Sequence, residues 1–240
     1  MVDNEPGDSL PIDDATMREI LGWDVRTWSK AVRLWNERLG ASTQPLRVLE
    51  LGAGPGGVSL WLASRGHSVV CTNLEFTAQQ AERLQAQHPE ITTVEYRDVD
   101  ATKIPFENEF DIVVFKSVLG GLGSDPAGAR ATMAGIIRAL KPGGRLLFAE
   151  NMRGTLVHRW GRAIAYRARR ASWRFLSVQE MRDLLAPFAS FELQTTGVLG
   201  VFGVSESHRA ALARVDDVFL NAITPERWRY VAYGIAVKRG

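Results

Sequence analysis

The run from Val48 to Gly57, Val-Leu-Glu-Leu-Gly-Ala-Gly-Pro-Gly-Gly, carries the clearest chemistry in the chain. An apolar segment ends in an acidic residue, Glu50, just before a cluster of glycines, and Val58 to Ala63 then reads as a helix. Glycines at such a turn let the backbone fold sharply and let a ligand approach main-chain N–H groups that a Cβ would shield. The spacing Gly52-x-Gly54-x-x-Gly57 also fits the dinucleotide fingerprint. Two residues argue against a dinucleotide. Glu50 stands at the mouth of the turn, where its carboxylate repels a pyrophosphate and attracts an ammonium group. Pro55 has no N–H to offer an anion, although its fixed φ suits the first turn of a helix. The turn therefore suits a cationic, amine-bearing ligand.

The elements that must position this turn alternate between strand and helix, the pattern of a doubly wound parallel sheet. Strands are predicted near 47–51, 68–74, 92–96, 110–116 and 144–150, with helices at 56–65, 77–88 and 127–140. A helix near 177–187, an extended segment 189–198 and a last strand 229–238 follow. The second strand ends about 20 residues past the glycines, where nucleotide-binding sheets place a carboxylate for ribose hydroxyls. That place holds Asn73, followed by Leu74 and Glu75. Asn73 can hydrogen-bond a hydroxyl without the strength of a charged acceptor, and Glu75 is the alternative.

With Glu50-x-Gly52-x-Gly54-x-x-Gly57 as first motif, Asp98-Val-Asp100-Ala101-Thr-Lys-Ile-Pro105-Phe106, Phe110-Asp111 opening the fourth strand, and Lys141-Pro142-Gly143-Gly144 before the fifth, the chain resembles the class I S-adenosylmethionine-dependent methyltransferases. The resemblance implies a Rossmann-like, doubly wound, mostly parallel seven-stranded α/β sheet whose last strand is antiparallel. It implies S-adenosylmethionine as cofactor, with S-adenosylhomocysteine as product. The implied cofactor residues are Glu50, Gly52, Ala53, Gly54, Gly57, Asn73, Leu74, Asp100, Ala101 and Lys116, with Asp100 accepting the adenine amino group and the Ala101 N–H meeting the ring. The strand ends facing the methyl group are Lys116-Ser117-Val118 and Glu150-Asn151. Methyl transfer from a sulfonium mainly needs alignment and a protected site, and a hydroxyl acceptor also needs a base. Glu150 is the first candidate, because a carboxylate at a dry strand end can have its pKa raised into the working range, and His158 is the second. Glu150 could equally partner nearby arginines. Ser117-Val-Leu-Gly-Gly121 replaces the Pro-Pro-Tyr signature of nucleic-acid amino methyltransferases, so a nucleic-acid acceptor is disfavoured.

Two further regions stand apart from the motifs. Trp23, Trp28 and Trp35, with Leu21, Val32 and Leu39, fall at roughly helical spacing, which reads either as core or as a lid over cofactor and acceptor. The span 152–175 holds Arg153, Arg159, Arg162, Arg167, Arg169, Arg170 and Arg174 among Trp160, Ile164, Tyr166 and Trp173, without one acidic residue. It is either a solvated face or a contact for something anionic. The expected organisation is an N-terminal helical lid over 1–44 and a methyltransferase domain over 45–240. That domain carries a basic insert at 152–175 and a helix inserted at 205–222, before the last strand. The helix covers the substrate or contacts another subunit.

The chain has 240 residues and a net charge of +2, enough for one good core, and its single cysteine, Cys71, excludes an internal disulfide and points to a reducing compartment. The acidic N-terminus from Met1 to Asp14 does not read as a secretory signal, and scattered histidines (His67, His88, His158, His208) offer no metal site. The functional expectation is O-methylation of a small-molecule, glycan or lipid-linked acceptor in the cytoplasm, with peripheral contact to an anionic inner membrane surface through the basic span. The oligomeric state is open, a homodimer included. A nicotinamide-dependent oxidoreductase and a non-catalytic cofactor-binding protein of the same fold stay as alternatives.

Overall fold

The computed structural model describes residues 12–40, 44–123, 125–169 and 173–240, the side chains of 163–169 excepted. In chain order the main elements are α1 (Asp14–Leu21), α2 (Val25–Leu39), β1 (Arg47–Leu51), α3 (Gly57–Ser64), β2 (Ser68–Asn73), α4 (Thr77–Gln85), β3 (Val94–Asp98), β4 (Phe110–Lys116), α5 (Pro126–Ala139), β5 (Leu140–Asn151), α6 (Leu156–Arg169), α7 (Val178–Leu185), β6 (Ser190–Thr196), α8 (Glu206–Val215) and β7 (Val231–Val237). The strands form one seven-stranded sheet in the order β3-β2-β1-β4-β5-β7-β6. Its pairings are parallel except for β7, which runs antiparallel between β5 and β6. This is the expected mostly parallel sheet with an antiparallel last strand.

Helices cover both faces, so the central strands are apolar on both. Val48, Ile112 and Val114 pack with α1, α2 and α3 on one side. Leu49, Leu51, Val113 and Phe115 pack with residues of α5 and α7 on the other. Strand order reverses between β1 and β4, and open sheets of this kind bind ligands in the crevice beyond the carboxyl ends of the strands there. Two sheet boundaries differ from expectation. β3 begins at Val94, where it registers with Val69 of β2, rather than at 92. β5 begins at Leu140 and reaches its main register after a shift between Phe110 and Ile112 on β4, so the Pro142-Gly143-Gly144 turn lies within it.

The tryptophan stripe is divided. Gly22 and Asp24 adopt left-handed backbone, and the chain turns between α1 and α2. Trp28 and Trp35 are buried in the core, where the Trp35 indole donates to the Gly234 carbonyl at 3.2 Å. Trp23 sits in the turn and remains partly exposed. The inserted helix α8 is fastened to this region: the Glu206 carboxylate accepts the N–H groups of Asp24 and Val25 at 2.9 and 2.7 Å and so caps α2. Beyond α8 a π-helical turn, Asp216–Leu220, brings the Asp216 carboxylate to the N–H groups of Val198, Leu199 and Gly200.

Candidate active site

The glycine turn follows β1 directly, and Gly52, Gly54 and Gly56 all have positive φ. A Cβ added at Gly54 would meet nothing within 4 Å, so the turn opens onto empty space there. Gly57 answers to a different neighbour. A Cβ on it would lie 2.2 Å from the Glu19 carbonyl, so this glycine lets α1 cross the start of α3. Gly57 thus has a packing role of its own, beside the ligand contact that the resemblance implies. Asn73 is likewise engaged: its amide oxygen accepts from the Gly54 N–H at 2.8 Å and its amide nitrogen donates to the Gly54 carbonyl at 3.0 Å. It braces the turn from β2, which explains a neutral amide at that position; a carboxylate there could accept but not donate. Leu74 is exposed beside it.

Glu50 is buried, and the Ser59 hydroxyl donates to its carboxylate at 2.5 Å. Burial pushes its pKa up to about 7 against that hydrogen bond and the nearby Lys116 charge. Lys116, at the end of β4, donates to the Leu21 carbonyl at 3.3 Å, and burial lowers its pKa while Glu50 and Glu150 raise it. Asp100 opens a single 3₁₀ turn, Ala101–Lys103, and one carboxylate oxygen accepts from the N–H and hydroxyl of Thr102. These bonds hold its pKa below the usual carboxylate range and fix the side chain, while its other oxygen lies 3.8 Å from Lys103. Asp98 accepts the N–H groups of Thr77 and Phe76 and caps α4.

Both candidate bases are engaged with the backbone. Glu150 is completely buried; it accepts from the N–H groups of Val118 at 2.9 Å, Leu119 at 2.7 Å and Asn151 at 2.9 Å. Burial raises its pKa to about 7 against these donors. The carboxylate thus shapes the loop after β4 and does not face a cavity. His158 accepts from the Thr155 N–H through Nδ1 at 3.0 Å, leaving Nε2 to donate to the Val198 carbonyl at 2.8 Å. Its ring stacks on Phe202 at 4.9 Å, and burial lowers its pKa, so it is a neutral wall residue.

A cavity of about 590 Å³ lies over the carboxyl ends of β4 and β5, lined by Trp23, Ser117, Asn151, His158, Gly161, Arg162, Trp173, Phe175, Val201, Phe202 and Arg209. Ser117 holds left-handed backbone at φ 60, a conformation that costs a non-glycine residue about 1 kcal/mol and is found where the surrounding structure enforces it. Its Oγ accepts from the Asn151 amide at 2.6 Å. The cavity adjoins the glycine turn, because the next residue, Val118, packs where a Gly52 Cβ would point. Trp173 lies across the Gly120-Gly121 loop, where a Cβ on Gly120 would fall 2.0 Å from its indole nitrogen. A second, more open groove of about 580 Å³ is lined by Arg153, Leu156, Arg159 and Trp160 and shares Arg162, Trp173 and Phe175 with the cavity. Arg170 and Ala171 of the basic span lie outside the described residues, and the side chains of Ile164, Tyr166, Arg167 and Arg169 are not described. Arg153 and Arg174 both pair with Glu180 of α7, so part of the span's charge is compensated from outside it.

The strand order, the glycine turn at the end of β1 and the adjoining cavity together reproduce the methyltransferase layout. The family described as a methyltransferase domain matches residues 49–148. Over these residues, fewer than half of the chain, it carries a methyltransferase domain, and the sheet around them has the fold of the class I S-adenosylmethionine-dependent methyltransferases. The family cofactor is S-adenosylmethionine, and the open cradle at Gly54 and the second oxygen of Asp100 fit its amino-acid and adenine ends. The phthiotriol/phenolphthiotriol dimycocerosates methyltransferase of Mycobacterium leprae is 29% identical over 115 residues, covering 48% of this chain and 41% of that protein. The tRNA 5-carboxymethoxyuridine methyltransferase of Escherichia coli K12 is 30% identical over 120 residues, covering 48% of this chain and 44% of that one. The match thus spans less than half the length of either relative. Phosphoethanolamine N-methyltransferase 2 of Haemonchus contortus, solved with S-adenosyl-L-methionine, superposes with a TM-score of 0.62 at 21% identity, over 89% of this chain and 53% of that one. At that identity the likeness concerns the fold. Among the described residues no His, Cys, Asp and Glu cluster could hold a metal ion.

Arg209, Val201 and Phe202 escaped the sequence reading. They come from the segment before and within α8, which carries no motif and reaches the cavity only because Glu206 and Asp216 anchor it.

Proposed function

We propose that the protein transfers a methyl group from S-adenosylmethionine to an organic acceptor seated over the ends of β4 and β5, the acceptor atom being oxygen. The carrying observation is that the open glycine cradle and the aromatic, arginine-lined cavity meet across Ser117 and Val118. In this reading Gly52, Ala53 and Gly54 cradle the amino-acid end of the cofactor, and Glu50 and Lys116 set the charge beneath it. Asp100 and Ala101 hold the adenine, with Leu74 against the nucleoside. The bound cofactor supplies an activated methyl on a cationic sulfur; the protein supplies alignment and exclusion of water. Trp23, in the turn after α1, and Arg209, from α8, give both appended regions a share in closing the cavity.

The acceptor in this reading is small-molecule, glycan or lipid-linked, and the arginines in the cavity lining support an anionic one. A lipid link is favoured by the outer groove, where Leu156, Val157 and Trp160 are exposed beside Arg153 and Arg159, the composition of a helix that lies on a headgroup layer. Peripheral contact with an anionic membrane surface belongs to this reading, and the described residues include no helix long and apolar enough to cross a bilayer. The M. leprae relative, whose name gives it a lipid acceptor, is in keeping with it.

Calorimetry tests the core of the proposal. S-adenosylhomocysteine should bind at about micromolar Kd, roughly 8 kcal/mol, and NAD should not. Gly54→Val should abolish that binding, since its Cβ enters the open space at the turn; the left-handed backbone at φ 56 adds about 1–2 kcal/mol of strain, so circular dichroism should first show the variant folded. Binding of NAD as tight as that of S-adenosylhomocysteine would refute it.

A further inference from the structure

The cavity walls are cationic and aromatic, and among its described lining residues there is no carboxylate. Arg162 donates to the Met152 carbonyl at 2.5 Å and lies 3.9 Å above the Phe175 ring. Arg209 lies 5.7 Å from the Trp23 ring and 3.5 Å from Glu206, whose carboxylate is already accepting two backbone N–H groups of α2. The Trp173 indole nitrogen is packed against Gly120, whereas the Arg209 side chain keeps 25% of its surface open and lines the cavity. With Glu206 spent on the α2 N–H groups and no nearer than 3.5 Å, the Arg209 guanidinium has N–H donors to offer an anion in the cavity. Rings and guanidinium groups around one space select an anion carried on a flat or apolar body.

The same walls lack a group able to take a proton. His158 has both ring nitrogens engaged, Glu150 faces the backbone, and Ser117 accepts from Asn151 so that its own O–H is left to donate. An alcohol acceptor has to lose a proton during transfer, and no described lining residue is placed to receive it. A carboxylic acid, with a pKa of about 4, is already ionised and has lone pairs to offer at neutral pH.

Resting on the methyltransferase reading above, we propose that the acceptor is a carboxylate on an aromatic or apolar body, that the Arg209 guanidinium holds it among the aromatic walls, and that the product is its methyl ester. One carboxylate oxygen forms the new bond to the methyl carbon as the carbon–sulfur bond breaks and its electron pair passes to sulfur. The two charges cancel, and no proton moves. The other oxygen stays with the donors, which makes Arg209 a specificity-determining residue.

The test uses 2-naphthoate, its neutral analogue 2-naphthamide and 2-naphthyl phosphate as probes, titrated by calorimetry into the full-length protein saturated with S-adenosylhomocysteine. Naphthoate should bind about tenfold or more tighter than the amide, the factor that one charge-assisted hydrogen bond supplies. Arg209→Gln should erase that preference and Arg209→Lys should restore part of it, while the affinity for S-adenosylhomocysteine changes less than about twofold. With S-adenosylmethionine, methyl 2-naphthoate should form at a rate flat from about pH 6 to about pH 9, since no general base has to be deprotonated. An amide bound as tightly as naphthoate, a preference for the phosphate ester, or a rate climbing with pH across that range overturns the proposal. Failure of S-adenosylhomocysteine to bind defeats the methyltransferase reading instead, and the naphthoate-to-amide ratio of the cofactor-free protein then still reports on the cavity.

Discussion

Replacing Glu150 by Gln separates a catalytic carboxylate from one that holds the backbone. In the native protein one oxygen accepts the Val118 and Leu119 N–H groups and the other accepts the Asn151 N–H. A glutamine amide can keep its oxygen on the first pair, but its NH₂ then confronts the Asn151 N–H, donor against donor. Losing one buried hydrogen bond and leaving a buried donor unsatisfied costs about 1–3 kcal/mol. For a chain of this size that is a fall in Tm of about 2–4 °C per kcal/mol, so a loss of about 4–8 °C for a mid-range cost. The pH dependence carries an independent sign. The carboxyl pKa is raised from an ordinary 4.5 to about 7 in the folded state, so between those values the folded protein binds more protons than the unfolded chain. The Glu150 contribution is therefore complete below about pH 4.5 and declines as pH rises through about 7. Denaturant unfolding at pH 5 and pH 8 should show the native protein losing more stability over that interval than Glu150→Gln does. An unchanged Tm together with a loss of methyl transfer of about 10²-fold or more would refute this reasoning and return Glu150 to the role of base.

Other substitutions bear on neighbouring claims. Asp100→Ala should weaken S-adenosylhomocysteine binding by about 1–3 kcal/mol in calorimetry, the cost of one hydrogen bond to a charged acceptor, and should also cost about 0.5–2 kcal/mol of ligand-free stability through loss of its cap on Thr102. Gly57→Ala should lower Tm by several degrees, because a Cβ 2.2 Å from the Glu19 carbonyl forces α1 off α3; retained stability would mean that α1 is free to move. Vesicle flotation at low salt should carry the protein with anionic liposomes and not with neutral ones. Trp160→Ala with Arg159→Gln should release it, each basic residue near the surface contributing about 1 kcal/mol. Indifference to anionic vesicles would leave the outer groove to a soluble acceptor.

How legible the molecule was in its sequence depends on the range of the interactions involved. The strands and the glycine turn were readable because a strand buried on both faces must be a short apolar run, and a sharp turn into a helix must carry glycine; Arg47–Leu51 was placed to the residue. The tryptophan stripe was half readable. Periodicity cannot register that Gly22 and Asp24 adopt left-handed backbone and turn Trp23 away from its helix. At the site, residue type misled where long-range backbone bonds decide the outcome. Glu150 looks like a base until the loop after β4 is seen folding back to spend its N–H groups on it. Asn73 looks like a weakened ribose ligand until its amide is found bracing Gly54 from both sides. Arg209 carries no local signal at all. Its place in the cavity follows from Glu206 three residues earlier, which caps a helix some 180 positions away, at Asp24 and Val25. A cavity lined by Trp23, Ser117, Trp173 and Arg209 therefore has no sequence motif, because the tertiary contacts that gather these residues are set by caps and packing rather than by spacing along the chain.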